Sequence, residues 1–147
     1  MTNFSKPITV KLPSIIEDVF SSITQVAHDL EISFLIVGAS ARDIVMTEIH
    51  GLKPARATKD IDLGVAVKSW DHFEKMKATL FLYEGVEKTN IPHRIIFHGI
   101  KIDFIPFGGL EDNHGIITWP DSNGIKMSIV GFDETLKNSY TCGCKTN

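Results

Sequence analysis

Residues 60–67 read Asp-Ile-Asp-Leu-Gly-Val-Ala-Val, which is a strong alternation of two kinds of side chain. Large apolar side chains occupy positions 61, 63, 65 and 67, and the positions between them hold Asp60, Asp62, a glycine and an alanine. Because successive side chains of a strand point to opposite faces, this stretch predicts a strand with one buried face. The other face begins with two carboxylates.

Helices are predicted on both sides of this strand. The apolar residues of 14–31 recur at the three-and-four spacing of a single helix face. Residues 69–82 have the same pattern, with Ser69 as the predicted N-cap, and residues 40–49 also have a helical pattern.

The remaining elements are predicted strands. Residues 33–37 are an apolar run that stops at Gly38, and four further runs follow residue 93: 94–98, 100–105, 115–118 and 125–130. Gly99 alone separates the first two of these four, which is too tight for a hairpin turn, and a bulge or kink there is equally consistent with the sequence.

The order of elements predicts an α/β (α+β) domain, in which helices pack on a mixed, twisted β-sheet. We expect this domain to span residues 1–135. Residues 136–147 have no apolar period and are predicted to form an irregular tail that carries two free thiols, Cys142 and Cys144.

The composition is that of one globular domain. The chain has 147 residues, of which 43% are hydrophobic and 22% charged, and this excludes a disordered or fibrous protein. The formal net charge of −3 argues against a dedicated duplex-DNA binder, because phosphate neutralisation dominates that affinity. No stretch approaches the ~20 apolar residues of a membrane helix, and the first residues lack the apolar core of a signal peptide. We therefore expect a cytoplasmic protein without a membrane partner.

Three aspartates, Asp60, Asp62 and Asp103, stand in otherwise apolar predicted strands. Ionised carboxylates are rarely buried without a partner, and carboxylate oxygens are the ligands that Mg²⁺ prefers. Two such ions ~3.5–4 Å apart can clamp both the attacking and the leaving oxygen of a phosphoryl or nucleotidyl transfer. The pattern therefore favours a metal site. The ordinary alternatives are that Asp60 caps a strand end and that Asp103 pairs with Lys101 or Arg94.

A second feature precedes these carboxylates. The strand at 33–37 runs through Gly38 into a predicted helix whose first turn contains Ser40. Gly38 permits close backbone approach, and free N–H groups at a helix start suit a phosphate. The ordinary alternative is a tight turn with Ser40 as the N-cap. Beside a metal site, a phosphate cradle is what binding of a nucleoside triphosphate requires.

Together, the strand–Gly-x-Ser–helix segment, Asp60-Ile61-Asp62 and the later Asp103 resemble the nucleotidyltransferase superfamily, which has the DNA polymerase β-like fold. Residues 56–63 resemble its AbiEii-type branch more narrowly, and residues 38–43 are similar to the opening motif of tRNA CCA-adding enzymes. The resemblance covers roughly residues 15–135.

This resemblance implies roles for individual residues. Asp60 and Asp62 would hold the metal ions, with Mg²⁺ as the cofactor. Asp103 would complete the site and help to deprotonate the attacking hydroxyl. Gly38 and Ser40 would contact the triphosphate.

Three basic residues, Arg42, Arg56 and Lys59, are the candidates for binding phosphate charge. For Arg42, a local ion pair with Asp43 that fixes the helix is an equal alternative.

The resemblance implies Mg²⁺-dependent transfer of a nucleoside monophosphate from a nucleoside triphosphate to an acceptor hydroxyl, with release of pyrophosphate. In this superfamily the acceptor is an RNA, a protein or a small molecule, and toxin–antitoxin roles occur. Two departures from the family pattern are the long segment between Ser40 and Asp60 and the end of the chain before the usual helical region.

The second departure favours an alternative, a truncated, non-catalytic module that binds nucleotide or a partner protein. It also predicts dimerisation as a way to cover exposed apolar surface. A metal phosphohydrolase is a third hypothesis, which Leu63 disfavours because a threonine is expected after its Asp-x-Asp motif. For His93 and Arg94, a loop-surface position is favoured over a place in the lining of the site. Trp70 and Trp119 are predicted as core or rim residues rather than base-stacking platforms.

Overall fold

The computed structural model describes residues 8–10, 14–38, 60–120, 124–137 and 142–144, and its central feature is a five-stranded sheet. The strands are β1 (Ile8–Val10), β2 (Ser33–Val37), β3 (Asp60–Ala66), β4 (Val86–Lys88), β5 (Arg94–Phe97), β6 (Ile100–Phe107), β7 (Ile116–Thr118), β8 (Lys126–Ser128) and β9 (Cys142–Cys144). The helices are α1 (Ser14–Asp29), α2 (Trp70–Leu80) and α3 (Phe132–Lys137). The large sheet has the order β2-β3-β6-β5-β4, and helices share its core, which confirms the predicted fold class.

The centre of the sheet is a parallel pair, β3 and β6, to which the other strands add in antiparallel fashion. The alternation predicted for β3 is observed, since Ile61, Leu63 and Val65 are buried. Asp62 lies on the opposite face and is half-buried. The sheet thus has an apolar face and a face that carries the carboxylates.

Helices α1 and α2 cover the apolar face, because their buried residues belong to the same core cluster as those of β3. Ser69 caps α2 as predicted, and its side chain accepts a hydrogen bond from the backbone N–H of His72. The His72 ring then connects the two helices, since its Nε2 lies 2.8 Å from the carbonyl oxygen of Leu30 just beyond α1.

Strands β5 and β6 form a hairpin with a two-residue turn, His98-Gly99. Phe97 pairs with Ile100 across it, and His98 and Gly99 have φ values of 50° and 80°. Positive φ at both central residues is the requirement of the type I′ turn, whose twist matches that of the flanking strands. The sequence-based interpretation that the connection is too tight for a hairpin turn is therefore wrong, because His98 belongs to the turn and not to β5.

The shorter elements include one strand that the sequence did not predict. β4 lies in a stretch that was predicted as a loop, whereas β7 and β8 form a small antiparallel sheet close to the predicted positions. The ring of Trp119 is buried against Phe73, as expected of a core residue.

The two ends of the described chain pair with each other. β9 lies parallel to β1, with Ile8 opposite Cys142, although the sequence predicted an irregular tail there. Pairing of two three-residue strands from opposite ends of a sequence produces no local periodicity, so pattern reading cannot detect it.

The helix predicted over 40–49 lies outside the described residues. Within the described ranges, no helix is both long and apolar enough to cross a membrane.

Candidate functional site

The candidate site is a row of residues in register across four neighbouring strands. Val37 of β2 pairs with Asp62 of β3, Asp62 with Asp103 of β6, and Asp103 with Arg94 of β5. Residues directly opposite each other in neighbouring strands share a face of the sheet. The row therefore places two carboxylates side by side with a guanidinium next to the second.

Arg94 and Asp103 form a two-pronged ion pair. Arg94 Nε donates to Asp103 Oδ1 at 2.7 Å, and Arg94 Nη2 donates to Asp103 Oδ2 at 3.0 Å. The side chains are 27% and 17% exposed, so the pair is sheltered from water more than an ordinary surface ion pair. These hydrogen bonds, and then the charge of Asp103, raise the pKa of Arg94 above its ordinary value.

Asp62 stands in an excess of negative charge. Burial raises its pKa above the ordinary 3.8, and the charges of Asp103 and Asp60 raise it further. Arg94 and His93 act in the opposite direction but do not cancel the effect. A cation beside Asp62 would therefore relieve an unfavourable local charge.

Gly38 lies directly against the Asp62 carboxylate at the end of β2. A Cβ built on Gly38 would be 2.7 Å from Asp62 Oδ2, closer than real Cβ atoms approach an oxygen, and the φ of Gly38 is +69°. Both the contact and the backbone conformation therefore require glycine. The sequence predicted close approach of a phosphate to Gly38, and that role stays a prediction.

The turn before β5 carries His93 and Arg94 to the site. Lys77 of α2 donates a 2.6 Å hydrogen bond to the carbonyl oxygen of Pro92, and Phe104 N–H donates to the carbonyl of His93 at 2.7 Å. Burial lowers the pKa of His93 below its ordinary 6.5, although the nearby Asp103 opposes this shift. The imidazole is therefore neutral at pH 7.

Asp60 is the first residue of β3, and its partner on β6 is Lys101. Its side chain is exposed, on the same face as Asp62. Across the described ranges, no three His, Cys, Asp or Glu side chains are gathered closely enough to hold a metal ion. The metal-ligand roles of Asp60, Asp62 and Asp103 therefore stay predictions.

The structure brings together Gly38, Asp62 and Asp103 from the predicted set, with Asp60 at the end of the same strand face. The other predicted triphosphate contacts, Ser40, Arg42, Arg56 and Lys59, lie outside the described residues.

Arg94 is the site residue whose position the sequence analysis misjudged, because it was predicted on a loop surface. Its pairing with Asp103 appeared only as the ordinary alternative for that carboxylate. The signal that locates it is the hairpin. A two-residue turn at His98-Gly99 pairs Phe97 with Ile100, and counting three residues along each strand places Arg94 opposite Asp103.

Comparison with known proteins gave matches among solved structures alone. No family model and no curated protein matches the chain. A tRNA-processing enzyme in its apo form matches 87% of this chain and 36% of its own, with 17% identity and a TM-score of 0.49. The antibiotic-resistance factor ANT(2'')-Ia matches 78% of this chain and 62% of its own, with 16% identity and a TM-score of 0.47.

A Thermotoga maritima CCA-adding enzyme complexed with tRNA matches 86% of this chain at 18% identity, with a TM-score of 0.43. The chain spans 32% of that enzyme's length and less than two thirds of the other two. These are likenesses of backbone at low identity, and the function proposed below therefore rests on the residues of the site.

Proposed function

We propose that the chain is a Mg²⁺-dependent nucleotidyltransferase that moves a nucleoside monophosphate from a nucleoside triphosphate to an acceptor hydroxyl and releases pyrophosphate. One observation carries this proposal. Asp62 and Asp103 are side by side on the central parallel strands, and the backbone of Gly38 lies against Asp62 at the end of the adjacent strand. Paired carboxylates next to an open stretch of backbone suit a cation and a polyphosphate.

The side chains fit Mg²⁺ in their chemistry. Asp60 and Asp62 offer carboxylate oxygens from one strand face, and Mg²⁺ is typically held by one or two carboxylates together with substrate phosphates. Burial, and then the charges of Asp103 and Asp60, raise the pKa of Asp62, and a cation would offset that negative charge. Asp60 and Asp62 would hold the ion with Asp103 completing the site, and the ion when bound would neutralise triphosphate charge and polarise a phosphoryl oxygen.

Nucleotidyl transfer otherwise requires mainly that the reacting groups are positioned, which a site with few functional groups can supply. Gly38 leaves room for the Asp62 carboxylate, which any side chain at position 38 would meet. In the transfer, the acceptor oxygen bonds to the α-phosphorus while the bond from that phosphorus to the pyrophosphate oxygen breaks. The hydroxyl proton passes to a carboxylate of the site, and by the family resemblance this carboxylate is Asp103.

The acceptor and the wider setting are proposed more broadly. A hydroxyl of an RNA, a protein or a small molecule can react in this way. The narrower AbiEii-type resemblance, with its toxin–antitoxin roles, rests on residues 56–63, of which the described part begins at Asp60.

A second candidate function is a non-catalytic module that binds nucleotide or a partner protein. A specific observation favours it: both oxygens of Asp103 accept hydrogen bonds from Arg94, so the carboxylate is already engaged. Such a module would bind Mg²⁺ and nucleotide without turnover.

The test is calorimetry of Mg²⁺ with each of the four ribonucleoside triphosphates, on the wild type and on Asp62→Asn. We expect binding that needs Mg²⁺ and is lost in the variant. Glu87→Gln is the matched control, because it removes one exposed negative charge from β4 of the same sheet and should bind as the wild type does.

Pyrophosphate release is then measured with RNA, protein and small-molecule acceptors. Release that Asp62→Asn abolishes supports the enzyme. Binding without release from any acceptor class would favour the non-catalytic module. A folded wild type that binds no nucleotide would overturn the enzyme and leave the module that binds a partner protein.

A further inference from the structure

Arg94 approaches Asp103 from one side, and Asp62 lies on the other. The strand order β3-β6-β5 fixes this arrangement, because Asp103 pairs with Asp62 across one edge of β6 and with Arg94 across the other. Each oxygen of Asp103 accepts a single hydrogen bond from Arg94. A carboxylate oxygen has two lone-pair sites, so each oxygen retains one that Arg94 does not use.

The turn that carries Arg94 is fixed before any ligand binds. The hydroxyl of Thr89 donates to the carbonyl of Arg94 at 2.9 Å and accepts from the N–H of Ile91 at 3.1 Å. Lys77, whose side chain is 12% exposed, donates to the carbonyl of Pro92. A buried lysine is costly unless it is hydrogen-bonded, and this one reaches out of α2 to brace the turn. The backbone from which the Arg94 side chain extends is therefore held in place.

The charges leave room for a cation. The carboxylates of Asp62 and Asp103 carry two negative charges when ionised, and Arg94 supplies one positive charge. A net negative charge therefore remains beside Asp62. Arg94 thus offsets part of the repulsion without removing the attraction for a cation.

From this arrangement we infer that Arg94 is a positioning residue for cation binding, which holds Asp103 from the β5 side so that its open side faces Asp62 and a divalent cation between them. This inference rests on the proposed function. Groups that hydrogen-bond to metal ligands orient those ligands, and their loss typically weakens metal affinity. Arg94 acts through Asp103 and need not touch the nucleotide.

The test measures Mn²⁺ affinity by electron paramagnetic resonance in the absence of nucleotide, on the full chain. We expect Arg94→Gln to bind Mn²⁺ roughly 10- to 100-fold more weakly than the wild type. Arg94→Lys should fall between them, because an ammonium keeps the charge but cannot form the fork. Lys126→Gln, which removes an exposed positive charge on β8, should bind as the wild type does.

A second variant keeps the test decisive if Arg94→Gln fails to fold. Lys77→Met leaves the carboxylates and Arg94 unchanged but removes the brace on the Pro92 carbonyl. It should weaken Mn²⁺ binding in the same direction by a smaller factor. The double variant should bind Mn²⁺ as weakly as Arg94→Gln alone, because the hydrogen bond from Lys77 affects Mn²⁺ binding through Arg94.

The outcomes separate the two proposals. If Arg94→Gln and Lys77→Met fold and bind Mn²⁺ as the wild type does, Arg94 is only a cross-strand ion pair and the inference is overturned. Tighter binding in Arg94→Gln would also overturn it, because Arg94 would then compete with the cation. If the wild type shows no Mn²⁺ binding that depends on Asp62, the inference about Arg94 is overturned, whereas the proposed function fails only if Mg²⁺-dependent nucleotide binding is absent as well.

Discussion

Gly38 and Asp62 lie so close together that one methyl group at position 38 would displace the Asp62 carboxylate. Gly38→Ala would put a Cβ 2.7 Å from Asp62 Oδ2 and would impose a φ of +69° on an L-residue. We expect a loss of roughly 1–3 kcal/mol of stability from the backbone conformation. We also expect loss of Mg²⁺-nucleotide binding by calorimetry, because the carboxylate must move.

Gly124 provides the matched control for this substitution. Its φ is +73°, and a Cβ built there meets nothing within 4 Å. Gly124→Ala should therefore lower the free energy of unfolding by a similar amount and leave nucleotide binding intact. Equal binding losses in the two variants would show that the contact with Asp62 has no role.

Asp62 should destabilise the folded protein at neutral pH. Its pKa is raised in the folded state, so its contribution to stability is most favourable below the ordinary 3.8 and is lost as the pH rises through the raised value. Without metal, Asp62→Asn should therefore unfold at higher urea concentration than the wild type at pH 7. We expect its free energy of unfolding to be greater by about 0.2–1 kcal/mol, as for a partly exposed charge.

At pH 3 the same pair of proteins should show little difference, because the wild-type carboxyl is then protonated in both states. Added Mg²⁺ should narrow the gap at pH 7 by stabilising the wild type alone. An Asp62→Asn protein that is less stable at pH 7 would mean that the carboxylate contributes favourably to the fold.

Phe132 of helix α3 packs against a glycine of the sheet. Gly64 of β3 has no side chain on the carboxylate face, and Phe132 fills that space and meets Phe107 edge-to-face. A Cβ on Gly64 would lie 3.1 Å from the Phe132 ring. We expect Gly64→Ala to cost about 1–3 kcal/mol in urea unfolding, because the ring must shift out of a packed contact.

A double-mutant cycle identifies the cause of that cost. Phe132→Leu shortens the side chain that the new methyl group would meet. The combined variant should be less destabilised than the sum of the two single changes. If the losses of unfolding free energy in the two single variants add up to the loss in the double variant, the destabilisation by Gly64→Ala does not come from the contact with Phe132 of α3.

Much of this fold follows from local sequence patterns. The alternation of β3, the Ser69 cap of α2 and the apolar run of β2 each depend on neighbours in the sequence, and each is observed as predicted. The pairing of β1 with β9 and the existence of β4 depend on contacts that no short window contains. Pattern reading misses such elements because three residues are too few for a period.

The site residues also divide into those that local sequence predicts and those that the pairing of strands determines. That Asp62 lies on the polar face of its strand follows from the period of two, and the closeness of Gly38 follows from the strand that ends there. That Asp103 faces Arg94 depends on the register of a hairpin, which in turn depends on the conformation of two residues, His98 and Gly99. Histidine at a positive φ is uncommon, which is why the turn was not predicted.

For the whole molecule, the sheet combines local and distant pairings. Arg94 and Asp103 are nine residues apart in a hairpin, whereas Asp62 joins Asp103 through a parallel pairing with a long intervening segment. Hairpins form faster than long-range parallel pairs, so Asp103 should meet β3 already paired with Arg94.

Refolding kinetics test this order. Arg94→Gln should refold several-fold more slowly in stopped-flow experiments at low salt, because an uncompensated Asp103 then approaches Asp62. The difference should shrink in 1 M salt, where screening shortens the range of the repulsion to ~3 Å. A variant that changes only the unfolding rate would show that the ion pair forms after the folding barrier.

The two-residue turn His98-Gly99 has a consequence for how this protein can vary. Surface turns usually tolerate insertions, because little depends on their length. Here, an added residue that shifted β5 by one position against β6 would move Arg94 to the other face of the sheet, since strand side chains alternate. The His98-Gly99 turn touches neither carboxylate, yet its length helps to decide whether Asp103 has its counter-ion. Among natural variants, this turn should therefore be constant in length even where its residues differ.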